Sequence, residues 1–256
     1  MSRKDEYYNR AKQEGYRTRA AYKLKQLDRG ADLLSHGDTV VDLGAAPGGW
    51  LQVAAEEVGE TGTVVGVDFQ RIRELDHSAI ETIKGDMTEE RTKDSLSETI
   101  GEGGADLVIS DMAPNMTGEY DLDHARSVHL ARQAFGVAED VLATDGDLVT
   151  KVFQGQDLDA LREEIEDGFQ YVQTMNPAAS RDSSSEVYLV GKHRLTAPIS
   201  VGETRDVEIV DVGEEGDGVA DIDGFTVFVP DTTTGDTVEV EITDIKPSFA
   251  FAERVD

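Results

Sequence analysis

Val40-Val41-Asp42-Leu43-Gly44-Ala45-Ala46-Pro47-Gly48-Gly49-Trp50 decides how this chain folds. It begins inside a β-branched, apolar run, 39–43, and ends inside a helical pattern, 48–58. Between them, glycines let the backbone turn sharply and come close to a ligand at the carboxyl edge of a sheet. The stretch is not Gly-x-Gly-x-x-Gly, and it lacks the Lys of a phosphate loop.

Outward from that turn, short apolar runs alternate with amphipathic stretches. The runs are 39–43, 63–69, 80–84, 106–110, 147–153, 171–175 and 186–191. The helical stretches lie near 48–58, 89–100, 121–143 and 156–167. This alternation predicts a mostly parallel sheet with helices on both faces. Only a loop with Asn176-Pro177 and Ser183-Ser184-Ser185 joins the last two runs, so they pair as an antiparallel hairpin at one edge. Six parallel strands and one reversed strand make the Rossmann-like methyltransferase sheet. Residues 16–35 read as one helix, with Ala20, Ala21, Leu24, Leu27 and Ala31 on one face. From Pro198 the character changes to short alternating runs, 204–210, 218–222, 225–229 and 237–245. Glu215-Gly216, Asp223-Gly224 and Gly235-Asp236 separate them. Such a pattern predicts a small OB-like β-barrel. The expected division is 1–196 and 197–256.

Composition removes several classes of function. There are no cysteines among the 256 residues. Disulfides, thiolate-bound metals and thiol nucleophiles are therefore excluded. His124 and His129 do not have the spacing of a helical zinc pair, and no metal site is expected. No stretch is apolar and long enough to cross a membrane. The first residues lack the apolar core of a signal peptide, so a cytoplasmic protein is expected. A monomer is expected.

The net charge is −29, with the acid spread along the chain. A densely carboxylated surface holds water and cations, and its self-repulsion is screened in concentrated salt. A halophilic source follows. Residues 1–29 run against this trend, at net +5. Arg3, Lys4, Arg10, Lys12, Arg17, Arg19, Lys23, Lys25 and Arg29 interleave there with Tyr7, Tyr8, Tyr16 and Tyr22. Phosphate contact and base stacking use that combination, so a nucleic-acid partner is expected.

Three acids end three successive strands: Asp42, Asp68 and Asp86. Asp68 stands where cofactor-binding α/β folds hold ribose hydroxyls. Asp86 is placed to accept from an adenine amino group. Asp42 and Pro47-Gly48-Gly49 suit a ligand with a cationic amino-acid end and no pyrophosphate. S-adenosyl-L-methionine is such a ligand. Ser110-Asp111-Met112-Ala113-Pro114-Asn115 is not the Asn/Asp-Pro-Pro-aromatic motif of amine methylation. Without cysteine, addition at pyrimidine C5 is also disfavoured, which leaves chemistry on an oxygen. Lys151 enters an apolar strand end, where burial demands a partner or a neutral amine. Glu186, heading the last strand of the sheet, could approach it.

At these residues the chain resembles the FtsJ/RrmJ family of ribose 2′-O-methyltransferases. The resemblance covers residues 5–192. It rests on Arg19-Ala20-Ala21-Tyr22-Lys23-Leu24, Asp42–Trp50, Ser110–Gly118, Lys151–Gly155 and Ser184–Val190. It implies a catalytic tetrad of Lys23, Asp111, Lys151 and Glu186. It also implies cofactor contacts from Gly48, Trp50, Asp68, Asp86 and Asp111. Its best-known substrate is a uridine in large-subunit (23S) ribosomal RNA, so ribosomal RNA or the large subunit is the expected partner. Relatives acting on tRNA, and a non-catalytic RNA-binding assembly factor, are the alternatives. Residues 200–256 are similar to the TRAM domain, a small RNA-binding barrel. Here the barrel is acidic, with Arg205, Lys246, Phe249 and Phe251 as its candidate contact face.

Overall fold

The computed structural model describes residues 3–180, 184–213 and 216–255. Ser183 and Glu215, named above in a loop and a turn, lie outside the described residues.

Two helices precede the sheet, α1 (Arg3–Glu14) and α2 (Ala21–Ala31). The sheet then alternates with helices: β1 (Thr39–Leu43), α3 (Gly49–Val58), β2 (Thr63–Asp68), β3 (Ile80–Lys84), α4 (Glu90–Ile100), β4 (Ala105–Ser110), α5 (Tyr120–Val141), β5 (Leu142–Phe153), α6 (Leu158–Glu166), β6 (Phe169–Met175) and β7 (Glu186–Arg194). Its strand order is β3-β2-β1-β4-β5-β7-β6. The chain reverses direction once: β7 slots antiparallel between β5 and β6. The order switches on either side of β1 and β4, and ligands of open α/β sheets bind outside the strand ends at such a switch.

Apolar side chains on both faces of the sheet build two cores. Val41, Val108, Leu148 and Leu189 meet α4, α5 and α6 on one face. Val40, Leu107, Val149 and Tyr188 meet α2 and α3 on the other. All eight are fully buried, so removing one of the aliphatic side chains costs about 2–5 kcal/mol.

The single helix expected over 16–35 is shorter. Residues 16–20 form turns, because the Arg17 N–H is taken by the Gln52 side chain and its guanidinium is drawn to the carbonyls of Pro47, Arg73 and Glu74. At the other end Asp32 turns left-handed, and Asp28 Oδ1 accepts from the N–H groups of Leu33 and Leu34. Much of the basic N-terminal segment is already engaged. Arg10 pairs with Glu14 and lies over the Tyr22 ring, Lys25 pairs with Glu56 and lies over Tyr16, and Arg19 donates to the Ala179 carbonyl. Lys12, Arg29 and Tyr8 remain exposed.

Beyond the sheet, β8 (Thr204–Val212), β9 (Gly218–Ile222), β10 (Phe225–Val229), β11 (Thr237–Ile245) and β12 (Phe249–Arg254) close a five-stranded barrel. Its core includes Val207, Ile209, Val227, Val240 and Ile242. The sequence pattern shows four of these strands. β12 escapes it because Ala250 and Ala252 are the only inward residues there, too small to mark an alternating strand. Among the described residues, no helix is long and apolar enough to cross a membrane.

Candidate active site

The turn after β1 works through close approach. Gly44 has φ +75°, and a Cβ there would stand 2.3 Å from the Met112 side chain. The loop after β4 therefore lies directly on the loop after β1. Together with the ends of β2 and β3 they enclose a cavity of 550 Å³. Asp68 and Asp86 line it, and so does Phe69, whose ring is 68% exposed. Asp68 also organises its own surroundings: Oδ2 accepts from the Ala46 N–H at 2.9 Å and Oδ1 from the Gln70 N–H at 2.7 Å. Asp86 Oδ1 accepts from the N–H and hydroxyl of Thr88.

A second cavity of 210 Å³ adjoins the same loop, lined by Asp42, Ala46, Trp50 and Asp111 among others. Asp42 is 2% exposed, and its Oδ2 has no hydrogen-bond partner. Burial, then the carboxylates of Asp111 and Asp68, push its pKa well above the ordinary range. A buried acceptor left unpaired costs about 1–3 kcal/mol, so the cavity suits a ligand bringing a donor or a cation. Trp50 lends its ring to the wall while its indole N–H donates to the Ala20 carbonyl at 2.8 Å. Gly48 lines neither cavity. It caps α3 at φ +107°, and the Arg17 guanidinium covers it.

The third cavity, 310 Å³, contains the charged residues expected from the sequence. Lys23 comes from α2, Lys151 from β5 and Glu186 from the start of β7. Asp111, at the end of β4, sits behind them and also lines the first two cavities. Lys151 Nζ donates to the Asp111 carboxylate at 2.8 Å and to its carbonyl at 2.6 Å. Lys23 Nζ lies 2.8 Å from Glu186 and 3.4 Å from Asp111. Of the two acids within reach of Lys151 in the sequence, Asp111 is the one it bonds, and Glu186 pairs with Lys23. In the β5–β7 register Lys151 stands opposite Tyr188, while Glu186 lies two residues farther along the same face, opposite Phe153, where Lys23 of α2 reaches it.

Tyr188 is the member that the sequence reading missed. Its hydroxyl donates to Asp111 Oδ1 at 2.6 Å. The signal was present: Glu186 and Tyr188 are two apart on one strand and share a face. Burial by itself would raise the Asp111 pKa, but Lys151, Lys23 and the bonds from Lys151 and Tyr188 outweigh it, and the pKa is lowered. The Tyr188 pKa is raised well above normal by burial, then by Asp111 and Glu186, so it stays a donor. Asp111 is thus an ionised carboxylate holding three donors in place. Among the described residues, no group of His, Cys, Asp or Glu is arranged to bind a metal ion.

A seven-stranded sheet with β7 reversed, and cavities at its switch point that share one acid with a Lys-rich pocket, define a Rossmann-like methyltransferase. Residues 16–194 match the FtsJ-like methyltransferase family and residues 198–255 the TRAM domain. The chain belongs to the FtsJ-like methyltransferase family. It is 66% identical to the ribosomal RNA large subunit methyltransferase E of Halorubrum lacusprofundi, over 100% of this chain and 95% of that one. It is 63% identical to the protein of the same name from Natronomonas pharaonis, over 100% of both. A crystal structure described as a ribosomal RNA methyltransferase from Plasmodium falciparum superposes with TM-score 0.63 at 27% identity, covering 70% of this chain and 98% of that one.

Proposed function

We propose that this protein transfers a methyl group from S-adenosyl-L-methionine to the 2′-hydroxyl of a uridine in large-subunit (23S) ribosomal RNA. One observation carries the reading: Asp111 lines the two candidate cofactor cavities and also anchors Lys151 in the third. A donor group and an acceptor hydroxyl placed in these cavities meet across one residue.

Asp68, Asp86 and Phe69 would hold the nucleoside part of the cofactor, and Asp42 its amino-acid end. When bound, the cofactor supplies a methyl group on a positively charged sulfur. The protein's task is then alignment, and positioning of this kind supplies up to about 7–11 kcal/mol. Lys151 has two of its nitrogen positions fixed on Asp111. The remaining one meets the 2′-hydroxyl: as a neutral amine it takes the hydroxyl proton while the oxygen–methyl bond forms and the sulfur–methyl bond breaks, and as an ammonium it donates to the oxygen and steers its lone pair. Lys23 and Glu186, paired with each other, offer one donor and one acceptor to the ribose. Tyr188 and Asp111 keep the two lysines apart at a fixed spacing.

Residues 1–196 form the transfer unit and 197–256 the barrel that holds RNA. A ribosomal substrate places the protein in the cytoplasm. Mapping 2′-O-methyl groups in total RNA with and without the gene tests the proposal. One large-subunit uridine should lose its methyl group. Loss confined to tRNA would redirect the substrate, and an unchanged map would favour the assembly-factor reading.

A further inference from the structure

Next to the Lys23–Lys151–Glu186 cavity lies another, of 320 Å³, which none of the proposed catalytic or cofactor residues lines. The two share Met116, Phe153 and Ser184 in their walls. Its other walls include Tyr120, Gly118 and Ser185. Tyr120 is 57% exposed and Met116 63%. Large apolar groups this exposed, beside a reaction site, are available to a ligand.

Tyr120 is also held still. Its hydroxyl donates to the Gln154 carbonyl at 2.6 Å, bridging the start of α5 to the loop after β5. His124 and Ser127, on the next turn of α5, bond the Phe153 carbonyl and N–H. The Met116 side is fixed as well. Asp123 accepts from the N–H and hydroxyl of Thr117 and from the Gly118 N–H. The result is an aromatic face with its edge clamped, a sulfur-bearing side chain near it and serine hydroxyls at the rim. A planar heteroaromatic ring with polar edges fits such a slot, because stacking needs a rigid platform and loses little entropy there.

We infer that this cavity receives the base of the nucleotide whose ribose is methylated, with Tyr120 as its stacking platform. The inference rests on the proposed ribose chemistry, because the occupant follows from it. A base is joined directly to its ribose, so with the ribose at Lys151 the base must enter a space continuous with that cavity. The shared walls make this one continuous. Tyr120 is then a specificity-determining residue that touches neither the cofactor nor the transferred group.

Binding of short RNAs to the full chain in molar salt tests this. The two RNAs span the mapped site and carry either the natural nucleotide or an abasic ribose at the acceptor position. Tyr120→Phe keeps the ring and loses the clamp, so it should retain most of the affinity for natural RNA. Tyr120→Leu should weaken that binding about tenfold or more relative to Tyr120→Phe, with the melting temperatures of the two variants alike, since both lose the same hydrogen bond. The abasic RNA should bind weakly and equally to all three. Equal binding of natural RNA by Tyr120→Leu, or the same loss on both RNAs, overturns the inference; the second result would place a flanking base, or no base, in the cavity. Failure of the underlying reading looks different: the unaltered protein would bind RNA yet methylate no ribose.

Discussion

Lys23 and Glu186 meet at 2.8 Å in the wall of the acceptor cavity, joining α2 to β7. Both are almost fully buried, so neither charge is tolerable alone. Glu186→Ala should therefore cost stability as well as turnover, at most about 3–5 kcal/mol, because Lys23 keeps only its longer contact with Asp111. Glu186→Gln should recover much of the stability and little of the rate. Thermal unfolding and single-turnover methylation separate the two; recovery of the rate together with the stability in Glu186→Gln would mean that Glu186 only braces α2.

Lys151→Ala should leave cofactor affinity within a few-fold and lower turnover by about 10²–10⁴. Calorimetry and saturated methylation measure the two quantities. A large loss of affinity would show that Lys151 supports the cofactor cavities through Asp111 rather than the acceptor.

Asp42 and Asp111 should respond oppositely to pH. Asp111 has a lowered pKa, so its contribution to stability is present above the ordinary carboxylate pKa and disappears only as pH falls through its folded value. Asp42 has a raised pKa, so its contribution is present in acid and is lost as pH rises through its folded value. Asp42→Asn should therefore raise the melting temperature at neutral pH, with a smaller gain in acid, and weaken cofactor binding. A neutral-pH melting temperature below that of the unaltered protein would remove Asp42 from this role.

The sheet was legible because its strands are short apolar runs at regular intervals. The four charged residues of the expected tetrad came from the family resemblance, which names them one by one, and no local pattern singles them out. Their pairing was not legible. Whether Lys151 meets Asp111 or Glu186 depends on the β5–β7 register, and no local pattern encodes which residue of one strand faces which of the other. The buried Lys192, held by Asp147 and the carbonyls of Ala31 and Asp32, was missed for the same reason. α1 was hidden in its own charge: its residues are nearly all polar, and among its described side chains only Ala11 is buried.

Salt should stabilise the fold. Self-repulsion at −29 weakens the molecule at low ionic strength, and screening removes it. The melting temperature should climb from dilute buffer to molar potassium chloride. A flat or falling trend would mean that the acidic surface is neutral to folding.

A chain ending at residue 196 should fold, bind cofactor and lose RNA affinity. It removes no strand of the sheet, although it exposes Leu195, which packs on the barrel core. Tighter RNA binding by the shortened chain would show that the acidic barrel repels RNA rather than holding it.

The central claim is ribose methylation of large-subunit RNA. Large ribosomal subunits from cells lacking the gene can be incubated with the purified protein and methyl-labelled S-adenosyl-L-methionine in molar salt, and the RNA digested to nucleosides. The label should appear in 2′-O-methyluridine, with Lys151→Ala giving none. Label on a base, or no label on subunits that the protein binds, would contradict it.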